Sequence, residues 1–97
     1  MTMASSQLWI VAYDSPSNQR RRKLSQLLEG YGQRIQWSVF ACRLRNDQLR
    51  ALRWQLERRI DAGQDRVCLW PVAGQQVASI VVMGLSPPDP EPADYIL

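Results

Sequence analysis

Residues 8–14 (LWIVAYD) and 35–44 (IQWSVFACRL) read as strands whose apolar side chains point to both faces. An antiparallel sheet with one face in water alternates apolar with polar residues; this chain does not. Trp9, Val11 and Tyr13 share one side of their strand with Ile10 and Ala12 on the other, Phe40 lies opposite Trp37 and Val39, and Trp70 adds a further ring, so apolar side chains occupy both sides. Two amphipathic helices on one side can cover only one face. The other face therefore calls for another protein surface, and a symmetric homodimer is the commonest solution.

The helices are legible from their stripes. After Asp14-Ser-Pro-Ser breaks the first strand, Ser17 or Asn18 can cap a helix in which Leu24, Leu27, Leu28 and Tyr31 recur at helical spacing. Arg20 falls on that stripe one turn earlier, near the Asp14 end of the sheet, and Arg22 points roughly opposite. Gly30 and Gly32 stop the helix. Asn46 or Asp47 can cap a second helix, with Leu49, Leu52, Leu56 and Ile60 inward and Arg50, Arg53, Arg58 and Arg59 outward. Two more strands are expected near 66–72 and 78–83. The run 35–44 reads as one strand, giving the order β-α-β-α-β-β, unless it bends into two. Residues 1–86 make one domain of the size at which a single core is marginal. Residues 87–97 form a Pro-rich acidic tail ending in Tyr95-Ile96-Leu97, expected to dock on a partner as an added strand or apolar anchor.

Charge is unevenly spread. All 12 cations lie between Arg20 and Arg66, opposed there by five carboxylates, a net +7; beyond Val67 the chain carries only acids. Eleven of the cations are arginine, which suits bidentate phosphate contacts, although solvated helix faces account for the charge equally well. There is no histidine, so imidazole bases, Ser-His-Asp triads and Cys/His zinc sites are excluded. Cys42 and Cys68 lie in apolar runs and read as reduced thiols of a cytoplasmic protein. No secretory signal or membrane span is visible.

The stretch YDSPSNQRRRKLSQLLEGYGQRIQWSVFACRL resembles the signature half of the CRISPR-associated protein two family, the small subunit of the spacer-acquisition machinery. The motif is a strand ending in Tyr-Asp, a helix opening with Arg-Arg-Lys, and a glycine-ended turn into Arg-Ile-Gln-Trp-Ser-Val-Phe. The resemblance implies an α+β, ferredoxin-like βαββαβ domain: an antiparallel sheet with two helices on one face, dimerising through the sheet. It implies bridging between integrase subunits, binding of double-stranded DNA, and a magnesium-dependent endonuclease activity on DNA or single-stranded RNA. Asp14 is then the catalytic carboxylate and the Mg2+ ligand. Tyr13, Arg20, Arg22, Arg34, Ser38 and Phe40 are the matching nucleic-acid-binding positions. The chain departs from the family at Ser15-Pro16-Ser17 and at Ala41, where further acids often stand. A toxin-like ribonuclease on the same fold, acting alone, is the competing reading.

One carboxylate per chain is too little for magnesium, but a two-fold axis can bring a second Asp14 close enough to share an ion. Arg20 or Arg34 would then hold the scissile phosphate. Without a metal role, Asp14 is a turn residue. Tyr13 and Phe40 read more readily as packing than as base-stacking residues, and Ser38 as at most a polar contact.

Overall fold

The computed structural model describes residues 5–84. Residues 85–97 lie outside that range, and with them the proposed docking tail. The element order is β1 (Gln7–Asp14), α1 (Asn18–Glu29), β2 (Gly32–Gln36), β3 (Val39–Leu44), α2 (Asn46–Arg59) and β4 (Arg66–Val72), followed by a 3-10 turn, Gly74–Ser79. The four strands form one antiparallel sheet in the order β2-β3-β1-β4. This is an α+β fold.

Alternation along the strands builds the core. Val11 and Tyr13 of β1 and Phe40, Cys42 and Leu44 of β3 face the helices, which return Leu24 and Leu28 from α1 and Leu52 and Leu56 from α2. Both helices thus lie on the same face. Ser17 caps α1, its hydroxyl accepting from the Arg20 backbone N–H at 3.1 Å. At the start of α2 the Gln48 side chain accepts from the Arg45 N–H at 2.9 Å, which satisfies an otherwise unpaired donor. Gly32 is required where β2 approaches β3: a Cβ there would lie 2.1 Å from the Ala41 carbonyl oxygen.

The run 35–44 breaks into β2 and β3 at Trp37-Ser38, so Trp37 sits in a turn and is exposed rather than on the sheet. The strand expected at 78–83 is not formed among the described residues. Its first residues close the 3-10 turn, and Ile80, Val81, Val82 and Met83 remain exposed. Neither cysteine is bonded, and the pair is not placed for a disulfide. Cys42 of β3 faces the helices, whereas Cys68 of β4 alternates to the other face, with β1 between them.

That other face carries Ile10 and Ala12 of β1, Val39 and Ala41 of β3, and Cys68 and Trp70 of β4, in register across the three strands. No helix covers it. Trp70, opposite Ile10, is 50% exposed. No helix of the described residues is long and apolar enough to cross a membrane.

Candidate nucleic-acid and metal site

Asp14 ends β1, directly opposite Arg66, the first residue of β4. Its neighbour Tyr13 is buried toward the helices, so Asp14 alternates to the helix-free face, at the rim of the apolar patch, and is exposed. The turn behind it is firmly held. Ser15 is buried; its Oγ accepts from the Ser17 N–H at 3.1 Å and its carbonyl accepts from Arg21 at 2.7 Å. Arg21 also donates to the Asn18 side chain.

The fixed point of this end of the molecule is Asp65, a residue that in the sequence reads only as a counter-charge. Its side chain is fully buried. It accepts from Arg20 Nε at 2.6 Å, from Arg20 Nη2 at 3.1 Å and from the Asp61 N–H at 2.8 Å, with a further hydrogen bond from the Ser15 hydroxyl. The Arg20 hydrogen bond, followed by the Asp61 and Ser15 bonds and the Arg20 charge, outweighs burial and holds the Asp65 carboxyl down to about 2. Arg20 also donates to Gln64 at 3.1 Å. The same Asp65 bond raises the Arg20 guanidinium. No motif announces Asp65: Arg20 and Ser15 stand far from it in the chain and meet it only through the fold.

The remaining expected residues gather at this end of the sheet but do different things. The Tyr13 ring stacks beside Phe40 at 6.4 Å between centroids, and its hydroxyl donates to the Trp37 carbonyl at 3.4 Å. The Tyr13 N–H donates to the Ser38 carbonyl at 3.0 Å, so Ser38 is held through its backbone. Phe40 is fully buried, with the Arg34 guanidinium carbon 4.8 Å from its ring centroid. The Arg34 side chain is itself only 8% exposed; it pairs with Glu29 at 3.2 Å and donates to the Trp37 carbonyl. In the protomer Tyr13 and Phe40 are packed rings and Arg20 and Arg34 are partnered cations. Arg22, by contrast, is exposed on α1, and among the described residues it forms no ion pair.

Asp14 alone does not make a magnesium site. That ion takes about six oxygen ligands in octahedral array. Among the described residues no three acidic, cysteine or histidine side chains are grouped to hold a metal. Asp65 cannot be recruited, because its oxygens are already committed to Arg20 and Asp61.

Comparison with known proteins places the chain in a family. The family described as CRISPR associated protein Cas2 matches residues 7–80. The CRISPR-associated endonuclease Cas2 2 of Thermus thermophilus is 46% identical over 80 residues, 82% of this chain and 84% of the relative. The CRISPR-associated endoribonuclease Cas2 3 of Synechocystis is 34% identical over 90 residues, 93% of this chain and 98% of the relative. Among solved structures, a hypothetical protein from Thermus thermophilus superposes with a TM-score of 0.76 at 44% identity, covering 86% of this chain and 96% of its own. Cas2 of Streptococcus pyogenes has the same fold, with a TM-score of 0.75 at 24% identity over 79% of this chain and 99% of its own. The chain belongs to the CRISPR-associated protein Cas2 family.

Proposed function

We propose that this chain acts in CRISPR adaptation as a homodimer joined through the helix-free face of its sheet, binding duplex DNA and bridging integrase subunits. The observation that carries this reading is the patch of Ile10, Ala12, Val39, Ala41, Cys68 and Trp70, aligned in register and left uncovered by both helices. Burial of such a patch stabilises association by about 25 cal/mol for each Å2 of apolar area removed from water. The exposed run Ile80–Met83 adds apolar surface that the protomer leaves open. Asp14 stands at the rim of the same face, so a two-fold axis through it draws in two copies of that carboxylate.

DNA binding rests on charge. Residues 20–66 carry a net +7, doubled in a dimer, and a polyanion that neutralises them releases counterions. With Arg20 and Arg34 held by Asp65 and Glu29, exposed arginines such as Arg22 carry the phosphate contacts.

The names of the relatives add endonuclease or endoribonuclease activity, which we assign to Asp14. The donor set of one protomer does not fit a resident magnesium ion, so this activity needs oxygens from the second Asp14 or from the substrate phosphate. The chain's own contribution is a rigid turn, fixed by Ser15 and Asp65, that presents Asp14 at the sheet rim. The test is reconstitution with the purified integrase subunit and a duplex, using wild type and Asp14→Asn. The reading expects an assembled complex with both proteins and magnesium-dependent cleavage by wild type alone. Assembly without cleavage by either would leave the scaffold role standing and remove the nuclease. Cleavage of RNA without any integrase complex would favour the stand-alone ribonuclease.

A further inference from the structure

On the opposite side of the molecule from Asp14, the outer face of α2 presents an aromatic ring among cations. Trp54 is 56% exposed, and the Arg58 guanidinium carbon lies 4.6 Å from its ring centroid. Arg50, Trp54 and Arg58 follow at intervals of four along one helical row, which spans about 12 Å. Arg58 also lines a cleft of about 540 Å3 between the helices, together with Arg59 of α2 and Lys23 of α1. Arg59 is braced across the turn, donating to the Gln55 carbonyl at 3.1 Å. Beyond its first turn α2 has one carboxylate, Glu57, and that residue borders the groove on the β4 side, away from the cleft.

The surroundings of Trp54 decide what it fits. Among the described residues the other large exposed apolar side chains lie elsewhere: Trp37 in the β2–β3 turn, Trp70 on the helix-free face, and Ile80–Met83 beyond the 3-10 turn. An apolar protein interface needs a contiguous patch, and Trp54 has cations at the neighbouring positions of its row instead. A half-exposed indole with one guanidinium over it and two further cations leading into a cleft matches single-stranded nucleic acid. A base stacks on the open part of the ring while phosphates lie along the arginines. A duplex has no unstacked base to offer. We infer that the α1–α2 face carries a second nucleic-acid site, specific for single strands, with Trp54 as its stacking residue and Arg58, Arg59 and Lys23 as its phosphate contacts.

This site does not depend on Asp14 or on the dimer face. The test uses the full chain with a single-stranded thymidine oligonucleotide and a duplex of the same length. Trp54→Ala should weaken single-strand binding about 5- to 150-fold, the effect of losing one stacked base. Duplex affinity should stay within about twofold. Trp54→Phe, which keeps a stacking ring, should recover most of the loss. Joint replacement of Lys23 and Arg58 by Ala should make the single-strand salt dependence shallower by about 0.7 for each phosphate contact removed. Trp54 is exposed, so its variants should keep the wild-type circular dichroism spectrum. Unchanged single-strand affinity in a folded Trp54→Ala protein would overturn the inference. So would an equal loss for single strand and duplex, or a wild type that binds no single strand.

Discussion

Arg20 and Asp65 are joined through two nitrogens, Nε at 2.6 Å and Nη2 at 3.1 Å, with the carboxylate fully buried and the guanidinium one-quarter exposed. The pair ties the first turn of α1 to the loop that starts β4. Through Ser15 it also fixes the turn that carries Asp14. Arg20 is therefore a structural cation first.

Replacing Asp65 by Asn should destabilise the protein by about 1–3 kcal/mol, since it weakens hydrogen bonds to a charged group. It should also change the acid limb of stability. The folded carboxyl, near 2, lies below its unfolded value of about 3.9, so its stabilisation is complete above roughly pH 5 and is lost as the pH falls toward 2. Urea denaturation at several pH values should show this loss in wild type and a flatter acid limb in Asp65→Asn. Identical acid limbs would mean that the pair contributes nothing.

Arg22 and Arg20 should part company in DNA binding. Arg22→Ala removes an exposed cation, so affinity should fall alike for all duplex sequences and the log–log salt slope should become shallower by about one. Arg20→Ala should instead lower the melting temperature, by unpairing Asp65. A stable Arg20→Ala protein with a shallower slope would make Arg20 the phosphate contact after all.

Gly32→Ala probes the sheet edge. The new Cβ would meet the Ala41 carbonyl oxygen at 2.1 Å and the Cys42 Cα at 2.7 Å. Both are backbone, so β2 must move off β3, at a cost of about 1–3 kcal/mol. Thermal melting checks it: an unchanged midpoint would mean that β2 contributes little.

The thiols report on the two sheet faces. Burial pushes the Cys42 thiol up to about 11, so it should resist iodoacetamide at neutral pH. Cys68 lies half-buried opposite Ala12 on the helix-free face. It should be protected in the wild type and alkylated faster in a monomeric variant, as mass spectrometry of the labelled peptides would show. Equal rates would place Cys68 outside the interface.

What was legible in the sequence was whatever repeats with a period. The stripes Leu24–Leu28 and Leu52–Leu56, the strand at 8–14 and the uncovered second face all follow from side-chain spacing, and the structure has them. The break at Trp37-Ser38 did not, because IQWSVFACRL stays apolar through the turn and offers neither Gly nor Pro to mark it. Residues 78–83 look like a strand in composition, but a strand needs a ladder, and the described residues supply none. At the site, helical spacing correctly put Arg20 near the Asp14 end of the sheet. Its partner Asp65 stands 45 residues away in sequence, and no local pattern links the two. Burial of Phe40 and Tyr13 likewise depends on Arg34 and the β2–β3 turn closing over them, a tertiary fact.

The two-copy assembly through the helix-free face is the claim on which the proposed function stands, and the mass of the particle in solution tests it most directly. Light scattering at micromolar concentration should give twice the 11.2 kDa chain mass for wild type. Trp70→Glu, at a side chain half exposed in the protomer, should stay folded and give the single-chain mass, because an unpaired charge cannot be buried in that interface without a cost of several kcal/mol. A folded wild type at 11.2 kDa, or a Trp70→Glu variant that remains a dimer, would contradict it.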